Sequence, residues 1–117
     1  MSLDLKTLVI IRDAARALID HASGLARVHF ESDRKTRSAV LFEIILIGEG
    51  IKRLSPDLLG RYPKVPWSEV VGMRDRVAHS FDAIRFDMVW DVVEVHAPAL
   101  LGDLDRIIAQ EQAADGL

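Results

Sequence analysis

The stretch DRKTRSAVLFEIILIGEGIKRL, Asp33 to Leu54, decides the fold of this 117-residue chain. Its periodicity is helical: Val40, Ile44, Ile47, Ile51 and Leu54 recur at threes and fours, and Ser32 or Asp33 is suited to cap the start. Leu41 with Ile45, and Phe42 with Leu46, spread apolar surface around most of the remaining circumference. A helix that is apolar on nearly every face lies at the centre of a fold, in a subunit interface, or both. Glu43 is embedded in that surface beside Leu46 and Ile47. Gly48 and Gly50 remove side chains on the same helix, where another backbone can approach closely.

Helices are expected on either side. The first runs from about Leu3 to Ala22, with Leu5, Leu8, Ile11, Ala15, Leu18 and Ala22 inward and Gly24 as a C′ stop. LARVHF offers a short helical turn. SPDLLGRYPKVPW, with three prolines and a glycine, reads as the one substantial loop. Pro66 then leads into a third helix from Trp67 to Ser80. FDAIRFD connects to a fourth, from about Asp87 to Ile108, with Val89, Trp90, Val93, Ala97, Leu100, Leu101 and Leu104 inward. Pro98 is expected to kink it by removing a backbone donor. The tail from about residue 109 is expected to fray. There is no repeat, low-complexity tract or linker, so residues 1–117 read as one all-α domain, an up-and-down bundle.

Composition narrows the function. There is no cysteine, which excludes disulfides and thiolate metal sites. A net charge of −3 counts against holding nucleic acid by bulk electrostatics, though a local phosphate site stays open. The cations Arg34, Lys35, Arg37, Lys52 and Arg53 read most simply as a solvated face. No basic leader precedes the first apolar stretch and no apolar run is long enough to span a bilayer, so a cytoplasmic protein with no membrane contact is expected.

Most catalytic motifs are missing. GEG at Gly48 to Gly50 lacks a third glycine and a preceding strand, so it is no dinucleotide loop. Glu94 and His96 lie on different helix faces, His21 and His29 have no ligand cluster, and no serine sits in a nucleophile elbow. No metal or cofactor is expected. MRDRVAHSF, Met73 to Phe81, is the exception. On a helix it sets Arg74 within the apolar arc of Val70, Met73, Val77, Ala78 and Phe81. His79 follows about 140° around and about 7.5 Å along the axis, so the two can flank a cleft. Asp75, four residues before His79, is placed to accept a hydrogen bond from its ring. Two readings stay open: Arg74 pairs idly with Glu43 and His79 merely ends a helix, or the two form a site for phosphate and proton transfer.

EIILIGEGIKRLSPDL, PKVPWSEVVGMRDRVAHSF and DMVWDVV, in this order and spacing and with Arg74-x4-His79 in the second, resemble the HepT-like branch of the HEPN superfamily. The resemblance covers nearly the whole chain, to about Leu101. It implies a four- or five-helix HEPN bundle that forms a homodimer through its central helices, with two Arg-x4-His motifs meeting in a shared cleft. The implied activity is metal-independent endoribonuclease cleavage by the toxin of a toxin–antitoxin pair, whose antitoxin is an MntA-type minimal nucleotidyltransferase. Arg74 would hold the scissile phosphate, His79 would move protons, and Asp75 would orient His79. Arg76, Lys52 and Arg53 are further candidate RNA contacts. With the RNA 2′-hydroxyl as nucleophile, no metal is needed and DNA is not a substrate. Many relatives carry a tyrosine two residues after the histidine, to which the partner attaches AMP. Phe81 stands there and has no hydroxyl, so no modification is expected. Arg85 replaces an acidic helix cap common in relatives. Phe81 and the negative net charge favour a competing reading, a non-catalytic HEPN module that binds a nucleotidyltransferase or a nucleotide.

Overall fold

Residues 2–80 and 82–116 are described by a computed structural model, and among them the chain is helical with no strand. The helices are α1 (Leu3–His21), α2 (Arg27–Ser32), α3 (Arg34–Lys52), α4 (Pro56–Arg61), α5 (Trp67–His79), α6 (Phe86–Asp91) and α7 (Ala97–Asp115). A π-helical turn, Val92–His96, joins α6 to α7.

Three side-chain caps start three of these helices. Ser2 accepts the Leu5 N–H at 3.0 Å, Asp33 that of Thr36 at 3.2 Å, and Ser55 that of Leu58 at 3.2 Å. The Thr36 N–H, joined by the Thr36 hydroxyl, holds the Asp33 carboxyl below the usual aspartate range. Ser55 is itself secured by Asp4, which accepts its N–H at 3.0 Å and its hydroxyl at 2.6 Å. This ties the start of α1 to the start of α4.

The long helices pack in the spatial order α5, α3, α1, α7, in a body of 49 × 28 × 21 Å. Every inward residue expected for the first helix is buried, as are Val40, Ile44, Ile47, Ile51 and Leu54 of the central stripe. The two α3 glycines mark two close approaches. A Cβ at Gly50 would lie 2.5 Å from Ile11 Cγ1 of α1, and one at Gly48 would lie 2.2 Å from Arg74 Cβ of α5. Beside its buried stripe α3 keeps part of its apolar surface open: Leu41, Ile45 and Leu46 pack against the core but are only half-buried, and Phe42 is 58% exposed.

The structure departs from expectation in the second half. The presumed loop contains α4, because Ser55 and Pro56 form an N-cap and first-turn proline that favour a helical start. The tail from residue 109, expected to fray, is helical among the described residues. α7 continues to Asp115, and Glu111 accepts hydrogen bonds from the Tyr62 hydroxyl at 2.6 Å and from Arg61 at 2.8 Å. Ahead of Pro98 the helix widens into the π turn, where the Ala97 N–H bonds to the Val92 carbonyl. A regular helix would have asked Pro98 for a donor it lacks and pressed its ring on the Glu94 carbonyl. Trp90 and Leu101 are only partly buried, and Trp90 packs on Phe30 with ring centroids 5.3 Å apart.

Candidate active site

Gly48 makes room for Arg74. With no Cβ on α3 at that point, the aliphatic stem of Arg74 lies against the α3 backbone, and its side chain is only 19% exposed. Its guanidinium spans two carboxylates. One terminal nitrogen meets Glu49 Oε1 at 2.5 Å and the other meets Asp75 Oδ1 at 3.0 Å. Lys52 Nζ reaches the same Asp75 oxygen at 3.0 Å. Hydrogen bonds from Lys52, and next from Arg74, hold the Asp75 carboxyl below the usual aspartate range. Arg74 Nε is buried and has no hydrogen-bond partner among the described residues.

His79 is the last residue of α5 and is exposed. Among the described residues, no hydrogen bond or ion pair engages its ring. It therefore stands apart from the cluster that contains Arg74, Asp75 and Lys52, a turn and a half further along the same helix.

Several expected partnerships are corrected. Asp75 does not bond to His79; its carboxylate is taken by Lys52 of α3 and by its own neighbour Arg74. Glu43 does not pair with Arg74. It is 8% exposed and its Oε2 lies 2.7 Å from His21 Nε2 at the end of α1. The reason is rotational: Glu43 and Gly48 are about 140° apart around α3, so an arginine seated at Gly48 faces away from Glu43. Arg76 lies about 200° from Arg74 around α5 and lines a cleft of about 270 Å³ between α5 and the α6–α7 helix. That cleft is floored by Leu18, Ile44 and Ile47. Arg53 is exposed at the C-cap of α3. Arg85 occupies the N-cap of α6 without a capping bond and pairs with Asp87 at 2.7 Å. Phe81 lies outside the described residues. Among the described residues, no group of three or more histidine, aspartate or glutamate side chains is placed to hold a metal ion.

Glu49, which meets Arg74, is not among the site residues expected from the sequence, where GEG is dismissed as a dinucleotide loop. The signal for it is an acid set between two glycines in the largely apolar second half of the helix; in the structure it is half-buried. His21 gave less warning, since its partner lies 22 residues away.

The sequence pattern of the ribonuclease HepT-like family matches residues 11–107. The chain belongs to the HepT-like ribonuclease family. A Methanocaldococcus jannaschii protein named provisionally as an RNase is 30% identical over 90% of this chain and 87% of its own length. A Caldanaerobacter subterraneus subsp. tengcongensis protein with the same provisional naming is 27% identical over 81% of this chain and 85% of its own length. A Thermococcus cleftensis protein named "Probable ribonuclease HepT" is 31% identical over 67% of this chain and 71% of its own length. No solved structure matches the chain. The all-helical bundle agrees with the HEPN architecture expected of a HepT-like chain. No described helix is long and apolar enough to cross a membrane.

Proposed function

We propose that this HepT-like chain is a metal-independent endoribonuclease, the toxin of a pair whose antitoxin is a minimal nucleotidyltransferase. The observation that carries the reading is the seating of Arg74: a permanently charged guanidinium, packed against Gly48, on the same helix as an exposed histidine. Arginine is the side chain best suited to a phosphate and to the negative charge that develops on it. Imidazole, whose ordinary pKa of about 6.5 lies near neutrality, is suited to moving a proton in either direction.

In the proposed reaction His79 takes the proton of the RNA 2′-hydroxyl as the 2′-oxygen attacks the adjacent phosphorus. The bond from phosphorus to the 5′-oxygen breaks, and that oxygen receives a proton. The products are a 2′,3′-cyclic phosphate and a 5′-hydroxyl. In a homodimer the two copies of His79 divide the roles of base and acid. The exposed Phe42, with half-buried Ile45 and Leu46 beside it, supports pairing through α3. Asp75 supports Arg74 rather than His79, and Lys52 supports Asp75. Arg53 and Arg76 are exposed and open to further phosphates. Silencing through AMP on the family tyrosine has no acceptor at Phe81, so the antitoxin acts by binding.

The test is cleavage of single-stranded RNA in EDTA, with end-group analysis. Wild type is expected to cut and leave cyclic-phosphate ends, and His79→Ala to lose about 10² to 10⁴-fold. Full activity in His79→Ala overturns the mechanism. A folded wild type with no activity, and harmless when expressed alone, favours a non-catalytic module that binds the nucleotidyltransferase.

A further inference from the structure

Arg74 has five N–H donors, and the structure accounts for only some of them. Glu49 forms an ion pair with one terminal nitrogen, and Asp75 accepts an N–H from the other. The Nε donor is buried. Each terminal nitrogen keeps a second N–H, so two donors remain for a phosphate while both carboxylates stay in place. The guanidinium is thus held from two directions.

We infer that Glu49 is the positioning residue of this site, fixing the plane of the Arg74 guanidinium so that its two remaining donors meet the RNA phosphate together. This rests on the ribonuclease reading above and deepens it. Asp75 cannot do the work alone. It neighbours Arg74 in sequence and reaches α3 only through Lys52, whereas Glu49 meets the guanidinium directly from α3. The carboxylate of Glu49 is 39% exposed, and ion pairs that open to water add little to stability. Its value is orientation. Bidentate phosphate recognition depends on the plane of the guanidinium as well as on its charge, and small misplacements of a positioned group lower rates steeply.

Gly48 and Glu49 then form a paired device on consecutive residues. The glycine lets the arginine stem lie against α3, and the acid catches the end of the same side chain.

The experiment compares wild type, Glu49→Ala and Glu49→Gln. Cleavage of a short single-stranded RNA is measured with melting temperature and dimer content, and ¹⁵N-arginine NMR reads rotation of the Arg74 guanidinium without needing activity. Glu49→Ala is expected to lower kcat/KM by about 10- to 100-fold at unchanged melting temperature, with the Arg74 terminal N–H signals averaged together. Glu49→Gln keeps an acceptor oxygen and is expected to retain most of the activity and the resolved signals. An active wild type matched by Glu49→Ala overturns the role of Glu49 alone. Glu49→Gln falling as far as Glu49→Ala overturns positioning in favour of a requirement for charge. A wild type that cuts no RNA overturns the ribonuclease reading, and with it the catalytic purpose assigned to Glu49.

Discussion

His21 Nε2 lies 2.7 Å from Glu43 Oε2, joining the last residue of α1 to the most deeply placed acid in the bundle. Removing His21 would leave that acid without its hydrogen-bond partner in an apolar setting. His21→Ala is expected to destabilise the fold by about 1–3 kcal/mol in urea unfolding. RNA cleavage per folded molecule should not change. His21→Ala and Arg74→Ala are expected to add independently, since their networks share no partner; a clear deviation from additivity would reinstate the Glu43–Arg74 pairing.

Two glycine-to-alanine changes should act in opposite directions. At Gly48 a Cβ would fall 2.2 Å from Arg74 Cβ, so α5 must move away from α3. Overpacking of this kind costs about 1–3 kcal/mol, and Arg74 should leave its seat with a further loss of activity. At Gly102 of α7 a Cβ meets nothing within 4 Å. Gly102→Ala is expected to stabilise by about 0.5–1 kcal/mol through helix propensity. Chemical denaturation of both variants checks the pair of signs.

Arg74→Lys keeps the charge but replaces a planar fork by a point charge. One ammonium cannot face Glu49 and Asp75 on separate nitrogens and still present two parallel donors. A fall in kcat of about 10²-fold is expected, the scale set by losing one donor to a developing oxyanion. Steady-state kinetics on a single RNA substrate, with melting temperature as control, provide the measurement.

The Tyr62–Glu111 bond makes stability depend on pH at both ends of the scale. The Tyr62 hydroxyl, and next Arg61, hold the Glu111 carboxyl below its ordinary 4.5. Burial, and next Glu111, push the Tyr62 phenol above 10.0. A lowered carboxyl stabilises the fold above its ordinary pKa, and that contribution is lost as pH falls through the depressed value. A raised phenol stabilises below 10 and loses this as pH rises through its own value. Asp75, also lowered, adds to the acid side. Tyr62→Phe should lower stability at pH 7 by about 0.5–1.5 kcal/mol and flatten both limbs in urea unfolding across pH.

The helices were legible where periodicity had a long run. α1, α3 and α5 end within two residues of their expected limits because their stripes repeat over three or more turns and polar side chains mark the starts of α1 and α3. α4 was hidden by its own proline and glycine, which suggest a loop unless Ser55–Pro56 is read as a helix start. The π turn was invisible because Val93 and Ala97 keep a four-residue spacing through it. At the site, Arg74 and His79 stood out as polar residues on or beside an apolar arc. Their partners did not. Whether Arg74 meets Glu43 or Glu49 depends on how α5 is rotated and shifted against α3, and a one-dimensional pattern carries no such angle. Gly48 came nearest, since a missing side chain announces a close approach without saying what approaches.

The helix that bears Arg74 and His79 rests mainly on α3, while its other flank borders the cleft floored by Leu18, Ile44 and Ile47. An element supported on one side opens at a lower free energy than the layers enclosed on two. Amide hydrogens of α5 should therefore exchange before those of α1 and α3, through partial opening that leaves the rest of the bundle intact. The proposed chemistry rides on one of the two outer helices of the four long layers. A ligand that bridges α5 to α7 would slow that exchange across the whole segment, and one that wedges them apart would dissolve the Arg74 seat without touching either candidate catalytic side chain.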